Sequence, residues 1–306
     1  MKYLVTGGAG FIGSHIAENL VKEGHEVVVY DNLSTGKLAN LAGFRERVEF
    51  VEGDIRDAKK ISETMQGVDV VFHEAAVASV TLSVEQPVET DQINVNGTVC
   101  VLNAARENKV KKLVFASSAA IYGDDPELPK REDMTPKPLS PYAFHKLAGE
   151  YYLRLFHQLY GLKCVALRYF NVFGPRQDPS SPYSGVISIF VDRFKKKAPY
   201  TIFGDGKQSR DFVFVQDVVR ANLAAAKVER DDVPIINVAR NESNDLLRLV
   251  EVLQEISGHV EKPQFREERL GDIKHSLADN SRLRDILAVE PRVSFQEGLR
   301  LLWDSI

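Results

Sequence analysis

Little in this chain departs from the average, so its shortages are the first thing to read. Cysteine occurs twice in 306 residues, at Cys100 and Cys164. Two cysteines with no CxxC pair make neither a disulfide framework nor a thiolate metal knuckle; they fit a reducing compartment, the cytoplasm, and no metal is expected. Both read as small buried hydrophobes. Long apolar runs are missing too. Nowhere do 18 apolar residues follow one another, so no segment is expected to span a membrane, and the apolar stretch before Gly7 is too short for a signal-peptide core. A basic excess is absent, since 39 Lys and Arg face 43 Asp and Glu for a net charge of −4. Such a chain does not neutralise a nucleic-acid backbone, so no nucleic-acid partner is expected. The one basic run, Lys195-Lys196-Lys197, ends a predicted helix, where cations suit the dipole. Repeats, low-complexity tracts and flexible linkers are also lacking. A chain of this length buries roughly three quarters of its unfolded surface without staples, yet is long for one core. Two sub-structures sharing a cleft are therefore expected.

Short apolar runs alternate with helical periodicity. The runs at 2–6, 26–30, 48–52, 69–73, 112–116 and 163–170 read as strands. The stretches 11–22, 58–65, 91–108 and 141–160 read as helices. The strand runs are continuously apolar instead of alternating, which suits parallel strands covered on both faces. The pattern predicts an α/β protein with a Rossmann-type doubly wound parallel sheet over residues 1–172, some later segments returning to it. Past that point the rhythm loosens. A Pro-, Ser- and Asp-rich loop at 174–184 precedes helices near 186–197, 217–226, 245–257 and 294–302. Residues 173–306 read as a smaller mixed α/β substrate domain, with the ligand in the cleft between the two parts.

Thr6-Gly7-Gly8-Ala9-Gly10-Phe11-Ile12-Gly13 joins the first strand to the first helix. Gly7, Gly10 and Gly13 are spaced three apart, as a backbone needs when it turns tightly and approaches a pyrophosphate. The helix start then offers free N–H groups and a positive dipole end. Asp31 ends the second strand, 18 positions after Gly13. A carboxylate there accepts the adenosine ribose hydroxyls and repels a 2′-phosphate, which favours NAD over NADP. Asp54, in Gly53-Asp54-Ile55 at the end of the third strand, is placed to contact the adenine amino group, with Ile55 against the ring; a plain helix cap is the competing reading of Asp54.

Ser140-Pro141-Tyr142-Ala143-Phe144-His145-Lys146 opens the long helix as a cap followed by a first helical residue. Tyr142 and Lys146, four apart, share a face. A tyrosine is a poor base at neutral pH. A lysine cation and a positively charged nicotinamide favour the phenolate, and lowering the pKa by ~3 units needs about 4 kcal/mol of differential interaction. Ser118 follows the fifth strand, where its hydroxyl can hold or relay to a substrate hydroxyl beside Tyr142.

In combination these residues resemble the extended short-chain dehydrogenase/reductases and, within them, the NAD-dependent UDP-sugar 4-epimerases. The resemblance runs over essentially the whole chain, through Thr6-to-Gly13, Asp31-Asn32-Leu33, Gly53-Asp54-Ile55, the stretches 94–98, 117–123, 142–146, 168–174 and 204–217, and Arg269-Leu270-Gly271-Asp272. It implies catalysis by Ser118, Tyr142 and Lys146. It implies cofactor contacts at Gly7, Gly10, Phe11, Ile12, Asp31, Asn32, Asp54, Ile55, Ala75, Asn94, Tyr142 and Lys146. For the UDP-sugar it implies Ser118 at the sugar, Asn171, Arg210 and Arg269 at the diphosphate, Asp272 at the uridine ribose and Phe203 near the uracil. Planar guanidinium groups suit bidentate phosphate contact.

The branch is read from what the motifs hold. Nucleotide-sugar dehydratases and decarboxylases carry an acid in the segment after Ser118, because elimination needs a carboxyl proton donor and acceptor. Ala119 and Ala120 stand here, which points to simple epimerisation. Ser276 is small where strict UDP-glucose epimerases can hold a tyrosine, leaving room for an acetamido group. Activity on both plain and N-acetylated UDP-hexoses is expected. Glu74 departs from the family's apolar residue and is expected to turn outward into a surface pair; His73 reads as a packed strand end. The helix at 141–160 is apolar over a wide arc that includes Phe144, Tyr151, Leu155 and Leu159, more than one sheet face needs. The resemblance implies a homodimer through this helix and 91–108. Two other readings stay open: another NAD-dependent nucleotide-sugar modifier such as a UDP-uronate 4-epimerase, and a non-catalytic NAD-binding regulator.

Overall fold

The computed structural model describes residues 1–178, 185–260, 262–268 and 274–306. The first part of the chain runs β1 (Lys2–Thr6), α1 (Phe11–Lys22), β2 (Glu26–Asp31), β3 (Glu49–Glu52), α2 (Ala58–Thr64), β4 (Val70–His73), α3 (Val80–Glu85), α4 (Pro87–Asp91), α5 (Gly97–Glu107), β5 (Lys112–Ser118), α6 (Pro141–Tyr160) and β6 (Lys163–Tyr169). Then follow β7 (Asn171–Phe173), α7 (Val186–Lys195), β8 (Thr201–Phe203), β9 (Ser209–Phe214), α8 (Val215–Ala225), β10 (Ile235–Val238), β11 (Ser243–Asp245), α9 (Leu246–Ser257), β12 (Gln264–Arg266), α10 (Ser281–Leu287) and α11 (Phe295–Asp304).

Seven strands form one sheet in the order β10-β6-β5-β4-β1-β2-β3. Every pair in it is parallel. Alternate strand residues enter opposite cores. Tyr3, Val5, Val27 and Val29 pack with Ile16 and Leu20 of α1, Val218 and Val219 of α8 and Leu283 of α10. Leu4, Val28, Tyr30 and Leu113 pack on the other face with Ile61, Val101, Leu102, Leu153 and Phe156. Burial on both faces explains the continuously apolar strands. β10, α8 and α10 are the later segments that return to this sheet.

A third core gathers Phe173, Phe190, Phe194, Phe212, Phe214, Leu249 and Phe295 from β7, β9, α7, α9 and α11, with Tyr200 just before β8. Its three-stranded sheet has the order β11-β9-β7, and β12 pairs with β8 beside it. Ile12 at the start of α1 packs against this core and the sheet core together, so the glycine loop sits where the two meet.

The helix expected over 91–108 forms, with one widened turn inside it. α4 passes through a π-helical turn at Gln92–Asn96 before α5 begins. The widened turn lets the Asn94 amide accept from Val77 N at 2.8 Å and donate to Val77 O at 3.0 Å, a local gain that offsets poorer helix geometry. α6 keeps its expected bounds for the expected reasons. The Ser140 hydroxyl accepts from Ala143 N, Pro141 is the first helical residue, and Gly161 ends the helix with φ +72°. Residues 174–178 carry no helix or strand; the rest of the expected loop, 179–184, lies outside the described residues.

Gly149 of α6 lies flat on β5: a Cβ there would stand 2.4 Å from Cζ of Phe115. Gly149→Val is expected to cost about 1–3 kcal/mol through overpacking, read as a lower midpoint in chemical denaturation.

Candidate active site

The order of the sheet reverses at β1, whose neighbours are β2 and β4. Ligands in such sheets bind at the C-terminal strand ends near this point. Gly7 leaves β1 with φ +68°, and a Cβ on it would fall 2.7 Å from Ala75 N at the end of β4. A Cβ on Gly13 would fall 2.3 Å from Gly7 O. Only glycine allows both approaches. Gly10 caps α1 with no side-chain hydrogen bond to the helix start, so Phe11 and Ile12 open the helix with uncapped backbone donors.

Asp31 ends β2 buried, accepting Ala9 N–H at 3.0 Å and Leu33 N–H at 2.8 Å. Burial pushes its carboxyl up while these two donors hold it down. Each oxygen has a further lone pair for a hydroxyl. Asp54 is neither a helix cap nor unpaired. Asp57 caps α2. The Asp54 carboxylate is held by both guanidinium arms of Arg56, at 2.9 and 2.7 Å, and by Asn32 Nδ2 at 3.2 Å, which pull it down to about 2. Ile55 is buried, its side chain packed so closely on Gly97 that a Cβ there would meet it at 2.6 Å. The Asn94 amide is occupied by Val77 and by His145, whose Nδ1 is 3.3 Å away. Ala75 donates its N–H to Thr6 Oγ1 at 3.3 Å.

His73 is structural, as its strand-end position suggests. Thr98 Oγ1 donates to Asn94 O, so it accepts from His73 Nε2 at 3.0 Å, and Nδ1 accepts from Thr6 Oγ1 at 2.8 Å. Burial, with help from the Lys146 charge, holds the imidazole down to about 3, so it is neutral.

Tyr142 is the second residue of α6, and its N–H donates to the buried Ser83 hydroxyl of α3 at 3.1 Å. Lys146, one turn on, is buried, donates to Ala116 O of β5 at 2.7 Å and lies 5.9 Å from the Tyr142 ring centre. Ser118 accepts from Ala120 N at 3.1 Å, which starts a short 3₁₀ turn at Ala119–Tyr122. Its hydroxyl also interacts with the Tyr142 phenol and draws that pKa down. The structure therefore brings Ser118, Tyr142 and Lys146 together. It does not by itself give Tyr142 the lowered pKa expected from the lysine. Burial pushes the phenol above its ordinary value, and Glu74 adds to the rise. Burial also lowers Lys146 to about 8 against the pull of Glu74.

Glu74 corrects the sequence reading. It is not turned outward: its carboxylate accepts from the Tyr169 hydroxyl at 2.9 Å, and burial pushes it up to about 7. Nothing local to the His73-Glu74-Ala75 stretch marks this. Its partner comes from β6 and is itself bonded to Asn222 of α8.

Of the residues expected at the nucleotide sugar, Asn171, Phe203 and Arg210 line one cavity of about 290 Å³ beside the third core. Gln177, Thr201 and Gln208, which the sequence reading passed over, share it. Gln177 Oε1 is buried with no hydrogen-bond partner, and a buried acceptor left so favours a polar ligand. The neighbouring Asp211 accepts from Arg240 N, Asn241 N and Ala278 N, tying the strand of Arg210 to the segment of Ser276. Ser276 is half-buried and donates its N–H to Ser209 O at 3.0 Å. Arg269 and Asp272 lie outside the described residues. Ser118, Tyr142 and Lys146 do not line this cavity; they sit at the sheet edge.

A doubly wound sheet with a glycine loop at its switch point and a tyrosine–lysine pair on the helix after β5 defines the short-chain dehydrogenase/reductase type of enzyme. More narrowly, the chain belongs to the NAD dependent epimerase/dehydratase family, whose model matches residues 3–239. Three solved structures of this kind are similar along their whole length. UDP-glucose 4-epimerase from Thermotoga maritima, crystallised with UDP-glucose, is 39% identical with a TM-score of 0.95, over 100% of this chain and 98% of that one. UDP-N-acetylglucosamine 4-epimerase from Methanobrevibacter ruminantium, in complex with UDP-N-acetylmuramic acid, is 41% identical with a TM-score of 0.95, over 99% and 97%. UDP-glucose 4-epimerase from Thermus thermophilus, in complex with NAD, is 41% identical with a TM-score of 0.90, over 100% and 98%.

Proposed function

We propose that this chain is a UDP-hexose 4-epimerase that works with tightly bound NAD and passes through a transient 4-keto sugar. One observation carries the reading. Ser118, Tyr142 and Lys146 meet at the strand ends, and the 3₁₀ turn beside them holds Ala119 and Ala120 where elimination would need a carboxylic acid. The similar solved structures named for UDP-glucose and UDP-N-acetylglucosamine epimerases support the substrate class.

The residues fit NAD. The loop around Gly7 and Gly13 leaves space that a Cβ would fill, α1 offers uncapped N–H groups to a pyrophosphate, and Asp31 retains acceptor capacity for ribose hydroxyls. When bound, NAD supplies the hydride acceptor and donor at C4 and a positive charge beside Tyr142. Tyr142 takes the proton of the sugar 4-hydroxyl and returns it after the keto sugar has turned over. Ser118 holds that hydroxyl within reach. Lys146 supplies one of the two cations needed to overcome the burial that raises Tyr142. Asn171, Arg210 and Arg269 take the substrate diphosphate, Phe203 the base side of the cavity, and Asp272 the uridine ribose. Residues 1–172 with the returning β10, α8 and α10 form the NAD part, and the rest the nucleotide-sugar part.

The small Ser276 extends the substrate range to UDP-GlcNAc and UDP-GalNAc. The protein is a cytoplasmic homodimer. Phe144, Tyr151, Leu155 and Leu159 of α6 are all exposed, the last at 64%, and form an apolar stripe along one helix face. Val95 and Val99 of the adjoining 91–108 segment are half-buried. A second copy covering this face joins four helices. Among the described residues no helix is long and apolar enough to cross a membrane.

An NMR product assay with a panel of UDP-hexoses and no added reductant should show interconversion of 4-epimers. Tyr142→Phe should reduce turnover by ~100-fold or more while the spectrum of bound NAD is unchanged; near-normal turnover removes Tyr142 from the mechanism. Ser276→Tyr should abolish turnover of the acetylated sugars selectively, and an equal fall for both classes overturns the assignment of Ser276. Light scattering at micromolar concentration should give twice the chain mass; a monomer mass rules out the helical interface.

A further inference from the structure

We propose that Glu150 is a positioning residue for Ser118: clamped by Arg168, its carboxylate grips Ser117 and so sets where the neighbouring Ser118 stands against the helix that carries Tyr142. The proposal rests on the reading of Ser118 and Tyr142 as the groups that hold and move the substrate proton.

Tyr142, Lys146 and Glu150 are spaced four apart on α6, so they line one face of it. That face meets three consecutive residues of β5. Lys146 Nζ donates to Ala116 O at 2.7 Å. The Ser117 hydroxyl donates to Glu150 Oε1 at 2.6 Å. The Ser118 hydroxyl interacts with the Tyr142 phenol. The first and last of these contacts use groups that the chemistry needs. The middle one does not, and is free to hold the helix in register on the strand.

Glu150 cannot swing. Arg168 Nε donates to its Oε1 at 2.8 Å and Arg168 Nη2 to its Oε2 at 2.8 Å, so guanidinium and carboxylate are paired fork to fork. Both side chains are buried, at 2% and 3% exposure. Arg168 stands on β6 level with Ser117, so the clamp comes from the next strand. It also reaches the other side of Ser118. Its guanidinium carbon lies 4.8 Å from the centre of the Tyr122 ring, and the Tyr122 hydroxyl donates to Asn237 Oδ1 of β10 at 2.7 Å. Tyr122 closes the 3₁₀ turn that Ser118 caps. Ser118 is thus bracketed, with Ser117 held by Glu150 before it and Tyr122 packed on Arg168 after it. Arg168 Nη1 is buried with no hydrogen-bond partner. A buried ion pair offsets its desolvation only when its groups are well satisfied, so this pair is better suited to fixing geometry than to adding stability. Proton transfer needs that geometry, since a misplacement of about 1 Å can cost ~100-fold in rate.

Ser117→Ala cuts the grip and leaves the ion pair whole. Glu150→Asp keeps a charge for Arg168 and draws the carboxylate back by one methylene. Each is expected to lower kcat for UDP-hexose interconversion by ~10-fold or more, with KM and bound NAD changed by less than about twofold. A stabilising role alone would lower the midpoint of chemical denaturation and leave kcat of the folded protein unchanged. The deciding measurement is a cycle with Ser118→Ala. Once Ser118 is gone, Ser117→Ala should cost less than about twofold in kcat, because the two residues act as a unit; an equal loss in both backgrounds overturns the role. Amide hydrogen exchange reads the same brace without turnover. Ala120 N–H donates to Ser118 Oγ at 3.1 Å, and in Ser117→Ala it should exchange ~10-fold faster or more, with the amides of α1 unaffected. Unchanged kcat or an unmoved Ala120 amide in the folded variants overturns the role of Glu150. Wild-type protein that interconverts no UDP-hexose overturns the proposed function instead, and the Ala120 exchange still decides the brace.

Discussion

The crevice depends on one constraint, the parallel seating of β1 between β2 and β4. Thr6 lies level with Tyr30 on one side and His73 on the other. Parallel strands buried on both faces point the same way, so their C-terminal ends fall along one edge. That edge carries the glycine loop, Asp31, Asp54, Glu74 and Ser118. β5 and β6 continue past the level of His73, which is opposite Phe115, as far as the Ser118–Tyr169 pair. The overhang brings Ser118 toward α6 and lets Tyr169 reach back to Glu74. The Thr6–His73–Thr98–Asn94 hydrogen-bond chain secures the switch point from beneath. Its neutral histidine adds no charge to a floor that already holds Lys146 and Glu74.

What was legible in the sequence was whatever is decided locally. The glycine spacing, the continuously apolar strands and the Ser140-Pro141 start of α6 each have short-range causes, and each element stands where its pattern put it. The π turn at 92–96 has a tertiary cause, because the Asn94 side chain bonds Val77 from it. The three-residue strands β7, β8, β11 and β12 are too short to show a period and exist through their pairings. The four-residue strand β10 was missed because its run is brief, though its place beside β6 is what returns the chain to the sheet. At the site, residue identities were readable but surroundings were not. Asp54 offered a cap or an adenine contact; the cap is Asp57, and the Asp54 carboxylate pairs with Arg56, only two residues away. The inward turn of Glu74 depends on residues 95 and 148 positions downstream, Tyr169 and Asn222, which no window along the chain would join.

Burial acts on the proposed catalytic pair in one direction. It raises Tyr142 and lowers Lys146, so in both cases it discourages the charged form that proton abstraction uses. A lysine in an apolar floor would lose much of its charge without an anion nearby, and Glu74 opposes that loss. The same anion works against the phenolate. The arrangement is therefore a compromise between keeping Lys146 cationic and letting Tyr142 ionise, and a second cation near Tyr142 tips it. Such a compromise suits a base that must return its proton: a phenolate stabilised too far would be a weak acceptor, and one stabilised too little would leave a phenol that is a poor donor for the return step, since proton transfer is most efficient when pKa values lie near the working pH. In a family that places an apolar residue at this strand end, the same pair would have to reach that balance with the lysine less supported and the tyrosine less opposed.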